Sequence, residues 1–296
     1  MAGLPLTSEG AHAAATTARA ARRRRFSPRL LLVNVTLALA GLLIAIPFIY
    51  MVSASFKPNS EIYALPIRLW PTHLDFANYR QLFANYPYAR WFVNSCVVTA
   101  CRVGLSLLLC SMGGFALAKY EFRGKRLVFF LVLFTMLLPI EVLIVPLFIL
   151  MTNLGWTNNY LALIVPFAAN AYGTFLMRQF MMGVPNEMLD AARIDGASEW
   201  TLYWRIALPL ARSGLVVLGI ILFTTTWNDF LWPLIVLSKG EMYTLPLGIA
   251  SMNGPYNVNY GTILAGATLS TIPVVAIFLR LQRQFIGSLT IGAIKG

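Results

Sequence analysis

From residue 30 onward, long apolar runs alternate with short polar stretches. A helix needs about 20 such residues to cross the hydrocarbon core of a bilayer. Runs near that length cover 30–54, 91–118, 127–151, 160–177, 215–237 and 261–279. The pattern therefore predicts an all-α, polytopic membrane protein with six spanning helices. Prolines 47, 139, 146, 166, 233 and 273 fall inside or beside these runs. Kinked helices follow, bundled so that neighbours satisfy the freed carbonyls. Residues 1–29 are rich in Ala and Arg and lack apolar periodicity, which predicts a mobile tail. Arg22 to Arg25 precede the first run as in a signal peptide, but the run is too long for a signal core and no small-residue cleavage site ends it. It reads as an uncleaved first helix, and residues 30–296 as the membrane domain.

The interval from 178 to 212 breaks the rhythm. It is far longer than the roughly 2–8 residues that usually join helices, so it should have structure of its own. Asn186 is placed to cap a helix whose first turns hold Glu187 and Asp190, where carboxylates favour the positive end of the dipole. Gly196 should then break the chain, in a left-handed or closely packed conformation. Ser198 is placed to cap a second helix through Trp200, Tyr203, Trp204 and Ile206, ending near Pro209.

Composition removes most other classes. With 58% hydrophobic and 11% charged residues, an ordinary soluble domain is excluded. The net charge of +12 does not point to nucleic acid, because the basic residues sit between apolar runs rather than in a stripe interleaved with aromatics. Seventeen Lys and Arg lie on the side of both termini, against Lys57, Arg68, Arg80, Arg90 and Lys239 on the other. The positive-inside bias puts both termini and the 178–212 interval in the cytoplasm. Cys96, Cys101 and Cys110 share one apolar run without metal or disulfide spacing, and His12 and His73 have no catalytic companions. No phosphate-cradling GxxxxGK[ST] loop exists. Gly124-Lys125 comes nearest, but Lys119 and Arg126 stand where Gly and Ser or Thr are needed. Energy must come from another polypeptide, and no cofactor is expected on this chain.

Ionisable residues at membrane depth usually face a bundle interior or a wet cavity. Arg102, Glu141 and Asp229 are the candidates. Asp229 follows Trp227 and Asn228 and precedes Trp232, which places hydrogen-bonding groups among rings, a combination that suits sugar hydroxyls and C–H faces. Glu141, Trp227, Asn228, Asp229 and Trp232 are thus candidates for a solute path, with Asp229 alternatively capping a kinked helix beside Pro233. Arg102 has three open roles: snorkelling outward, pairing with Glu141, or binding solute. Two acids against one Arg disfavour a strongly anionic solute.

The stretch Asp190-Ala191-Ala192, three residues, Gly196, nine residues, Ile206-Ala207-Leu208-Pro209 resembles the cytoplasmic signature loop of ATP-binding-cassette importer permeases. The one departure is Asp190, where that family usually has Glu. Trp227-Asn228-Asp229-Phe230-Leu231-Trp232-Pro233, Thr244-Leu245-Pro246-Leu247-Gly248 and Gly292-Ala293-Ile294-Lys295-Gly296 resemble its carbohydrate branch, and within that the maltose-type second permease subunit. The resemblance implies a six-helix type I importer fold with a coupling element over 186–209. Glu187, Asp190, Ala191, Ala192, Asp195, Gly196, Ile206, Leu208 and Pro209 would then couple to an ATPase. It implies a subunit of a multi-pass complex in the cytoplasmic (inner) membrane of a prokaryote that translocates a sugar, a related polyol or a glycerol phosphate. Implied partners are a second permease subunit, two cytosolic ATPase subunits that use ATP and Mg, membrane lipid, and an external solute-binding protein. Asn253, Gly254, Pro255, Tyr256 and Asn257 would touch that binding protein, or else form a plain surface turn. The competing reading is an ion-gradient-driven secondary transporter with Glu141, Asp229 and Arg102 as a relay; the long polar loop would then have no role.

Overall fold

Each predicted span is helical, yet half of them are broken. The computed structural model describes residues 28–254 and 258–293, and these form helices with no strand among them. The principal helices are α1 (Pro28–Ala54), α2 (Ala77–Asn85), α3 (Tyr88–Lys119), α4 (Lys125–Met136), α5 (Ile140–Asn153), α6 (Ala171–Met182), α7 (Asn186–Ile194), α8 (Glu199–Leu210), α9 (Arg212–Trp227), α10 (Leu231–Val236), α11 (Leu245–Ser251) and α12 (Tyr260–Ala293). Among the described residues, those up to Tyr50 form one compact unit and those from Met51 onward another. The expected tail lies almost wholly outside the described residues.

Leu31–Ala54, Tyr88–Lys119 and Tyr260–Gln282 are each long and apolar enough to cross a bilayer unaided. Three bent pairs raise the possible total to six; the first two match the apolar runs over 127–151 and 160–177, while the third joins α8 of the polar interval to α9. The kinks expected from the prolines over 127–151, 160–177 and 215–237 form as outright breaks between separate helices. α4 and α5 meet at 102°, because Pro139 has no N–H to continue the helix and holds extended backbone at φ −65°, ψ 136°. Leu161–Phe167 meets α6 at 44° across a gap closed by Asn170, whose side chain accepts from the Gly173 N–H at 2.8 Å. The run over 215–237 divides into α9 and α10 at Asn228–Phe230, where Asn228 Nδ2 donates to the Thr224 carbonyl at 2.8 Å. The polar residues that looked like a solute site are thus also the break.

Close helix approach organises the core. A Cβ on Gly114 of α3 would lie 2.7 Å from the Arg178 backbone nitrogen and from the Met177 Cβ of α6, so only Gly lets these helices touch there. Around that contact Cys110, Phe115, Met177, Met181, Leu202, Tyr203 and Leu218 form one buried cluster, and Leu189 of α7 belongs to it. At the opposite end, α3 is tied to the loop before α11. Trp91 Nε1 donates to the Gly240 carbonyl at 2.8 Å, and Asn94 Nδ2 to those of Glu241 and Tyr243 at 2.9 Å. Of the thiols, Cys110 is buried while Cys96 and Cys101 are exposed.

Candidate functional site

The loop between α6 and α9 is a helix, a sharp turn and a second helix. α7 ends in a Schellman turn: Gly196 N–H donates to the Arg193 carbonyl at 3.0 Å and Ala197 N–H to the Ala192 carbonyl at 2.9 Å. Gly196 sits at φ +82°, the left-handed region where only glycine avoids a Cβ penalty. Its side is open, with nothing within 4 Å of where a Cβ would stand, so crowding plays no part. Ser198 then caps α8 as expected, its Oγ accepting from the Thr201 N–H at 3.3 Å. α8 includes a π-helical stretch over Leu202–Ala207 just before Pro209, which cannot donate to the turn behind it.

Asn186 does not cap α7. Pro185 occupies that position with φ −63°, ψ 134°, which puts Asn186 one residue inside the helix. Its Oδ1 accepts instead from Lys119 Nζ at 2.8 Å, and the same ammonium donates to the Val184 carbonyl. Beyond the turn, Arg193 reaches across it. Its Nε and Nη2 donate to the two oxygens of Glu199 at 3.0 and 3.2 Å, and its Nη1 to Asp190 Oδ1 at 2.8 Å. Tyr120 completes the brace by donating its hydroxyl to Glu199. Hydrogen bonds from Arg193, then from Tyr120, hold the Glu199 carboxyl below its usual range. Burial, and then Glu199, push the Tyr120 phenol up to about 12. The end of α3 thus grips both ends of α7.

On the other side α7 is bare. Leu189 is 1% exposed beneath it, while Ile194 is 87% exposed and Met188, Ala191, Glu187 and Asp195 also face outward. In α8, Trp200 and Trp204 are exposed, Ile206 and Leu208 are partly covered, and Pro209 is exposed. Of the residues in this assembly, sequence reasoning missed Lys119, Tyr120, Arg193 and Glu199. Arg193, three residues after Asp190 on one helix face, carried a local signal; Lys119 and Tyr120, so distant in sequence, carried none.

A second constellation lies where the broken spans meet. Arg102, in the middle of α3, pairs with Asp229 at 3.0 Å, the two side chains being 14% and 21% exposed. Its guanidinium also lies 4.2 Å over the Phe167 ring, at the other break. Glu141, the partner considered for it, is exposed in the first turn of α5 and takes no part. Trp227 is buried, its Nε1 donating to the Ser270 carbonyl at 3.0 Å and its ring stacked on Phe223. Trp232 is buried too, with Nε1 on the Ala162 carbonyl at 2.8 Å and its edge against Phe167. Of the five candidate residues, Asn228 and Glu141 are exposed. At the outer loop, Asn253 and Gly254 follow α11 without regular structure, and Pro255, Tyr256 and Asn257 lie outside the described residues, as does the end of the terminal Gly-rich motif.

Residues 111–290 match the family described as binding-protein-dependent transport system inner membrane component. The chain is 39% identical to the arabinooligosaccharides transport system permease protein AraQ of Halalkalibacterium halodurans, over 93% of its own length and all of that protein's. It is 32% identical to the lactose transport system permease protein LacG of Rhizobium radiobacter, covering 88% of this chain and 94% of that one. It is also 32% identical to the sn-glycerol-3-phosphate transport system permease protein UgpE of Yersinia enterocolitica, covering 86% and 94%. Among solved structures, a chain of a bacterial ABC transporter involved in importing the acidic polysaccharide alginate superposes with a TM-score of 0.78 at 26% identity, over 88% of this chain and 98% of that one.

Proposed function

Since the chain belongs to the family of binding-protein-dependent transport system inner membrane components, we propose that it is the sugar-translocating permease subunit of an ATP-driven importer. It is a multi-pass membrane protein and a transporter subunit with the type I importer fold. Its power comes from two cytosolic ATPase subunits that hold ATP and Mg, its second pathway half from another permease, and its solute from an external binding protein. Both termini and α7 face the cytoplasm.

The observation that carries this reading is α7 itself: a helix buried on one face, bare on the other, and gripped at both ends by α3. Such a helix seats against a partner through Met188, Ala191 and Ile194, with Glu187, Asp190 and Asp195 around them, and its bracing passes the partner's movement on. Gly196 sets the angle, while Ile206, Leu208 and Pro209 lead into α9. At depth, Asn228 and Asp229 form the solute-facing pair. Because Asp229 already neutralises Arg102, a neutral sugar or oligosaccharide suits the site better than an anion. The relatives' names point the same way, arabinooligosaccharides and lactose among them, while sn-glycerol 3-phosphate keeps phosphorylated polyols in view. Trp227 and Trp232 shape this site from behind. Asn253 and Gly254 begin the loop offered to the binding protein.

The test is reconstitution of the complete complex in proteoliposomes. ATP-dependent uptake of neutral oligosaccharides, stimulated by loaded binding protein, supports the proposal. Uptake driven by an ion gradient without ATP would replace it with a secondary transporter.

A further inference from the structure

A cleft of about 420 Å³ lies where the end of α6 meets the turn leading into α4. Its walls carry Lys125, Arg126 and Arg178 against a single carboxylate, Glu121. That carboxylate is engaged with Lys125 at 2.7 Å, so the two arginines are left in excess. Arg178 is held in place: its Nε donates to the Leu117 carbonyl at 3.3 Å and its guanidinium lies 4.2 Å over the Phe129 ring. Arg126 is exposed and makes no hydrogen bond or ion pair among the described residues. α4 opens from Gly124 at φ +87° with neither a side-chain cap nor an acidic residue in its first turn. Two cations with no protein anion to meet, one of them held in place, suit an anionic group.

What adjoins the cleft defines the ligand further. One residue beyond Arg126 an exposed apolar strip begins, with Leu127, Phe130, Leu131 and Phe134 each more than half exposed. A free anion would use the cleft and leave the strip bare; a lipid would use both, its headgroup phosphate between Arg126 and Arg178 and its acyl chains along α4. We propose that this cleft binds the headgroup of an anionic phospholipid of the cytoplasmic leaflet, of the phosphatidylglycerol class. The proposal rests on the orientation given above, and basic pockets on the cytoplasmic side are where such headgroups bind.

The experiment uses the complete transporter complex in nanodiscs of phosphatidylethanolamine with and without phosphatidylglycerol, with retained lipid counted by native mass spectrometry. Arg126→Glu should lower phosphatidylglycerol retention about tenfold, and Arg126→Gln by less. Arg123→Glu, the same charge change on the same turn but outside the cleft wall, should leave retention within about twofold. Inorganic phosphate should not displace the lipid. Equal losses in Arg126→Glu and Arg123→Glu would reduce the effect to surface charge and overturn the site, as would no preference for phosphatidylglycerol over phosphatidylethanolamine. Displacement by phosphate would make it a free-anion site. Loss of the partner permease in both Arg126 variants would make this face a protein interface. The functional reading stands apart, since sugar uptake in either lipid tests it independently.

Discussion

Gly196 holds its positive φ in open space, so substitution there changes torsional energy rather than packing. Asn tolerates the left-handed region, Ala loses about 1 kcal/mol, and a β-branched residue loses roughly 2. Uptake and binding-protein-stimulated ATP hydrolysis should therefore fall in the order Gly196→Asn, Gly196→Ala, Gly196→Val, with membrane insertion unchanged. A valine variant with full stimulated hydrolysis would show that the turn is not needed for coupling. At Asp229 the concern is charge. Asp229→Asn leaves Arg102 facing a neutral amide in a mostly covered site, at a cost of up to about 3 kcal/mol. Uptake should drop while basal ATP hydrolysis and complex assembly persist, both read on the purified complex. Loss of the assembled complex would assign Asp229 to folding instead.

At the scale of elements, Arg193 and Glu199 join α7 to α8, and Tyr120 joins both to α3. Exposed pairs of this kind are each worth less than about 1 kcal/mol, so breaking one should uncouple without unfolding. Arg193→Glu should weaken stimulated hydrolysis, and Arg193→Glu combined with Glu199→Arg should restore part of it; no rescue would mean the pair transmits nothing. The pH dependence follows from the depressed Glu199 carboxyl. The fold favours its charged form, so the stabilisation is whole above the ordinary Glu value of about 4.3 and is lost as pH falls through the lower folded value. Hydrogen exchange over 186–210, corrected for the intrinsic pH effect, should stay flat from neutral pH to about 5 and rise only in stronger acid. The existence of each helix was legible because apolar length needs no partner to be seen. The prolines made kinks legible, with Asp229 a candidate cap beside Pro233, but that these would be full breaks at Asn228–Phe230 and around Asn170 was not, since a run such as 215–237 stays apolar on both sides of the interruption. Asn186 was misplaced for a related reason: Pro185 already starts the helix, and the ligand of the Asn186 side chain, Lys119, is 67 residues away.

For the whole molecule, the arrangement of Lys and Arg predicts sidedness, and cysteine accessibility tests it. The chain's own thiols include two exposed ones, so Ser198→Cys and Asn253→Cys belong in a background lacking Cys96 and Cys101. In intact cells an impermeant reagent should label Asn253→Cys first; the reverse order would invert the topology. Membrane class, helix number and the signature loop were readable from apolar runs and motif spacing, whereas the Arg102–Asp229 pair was not, because it joins residues 127 apart. One further consequence lies in the 77° between α8 and α9. Twelve helical residues make an arm of about 18 Å set nearly crosswise to the helix it feeds. A lateral push of about 3 Å delivered to the Glu199 end of such an arm, through its tie to Arg193 of α7, would turn α9 about its own axis by roughly 10° instead of sliding it lengthwise. Under the proposed coupling role the joint would work as a crank, and what would arrive at Asn228 is a swing around the helix circumference, which presents or withdraws a side chain without opening a gap along the helix.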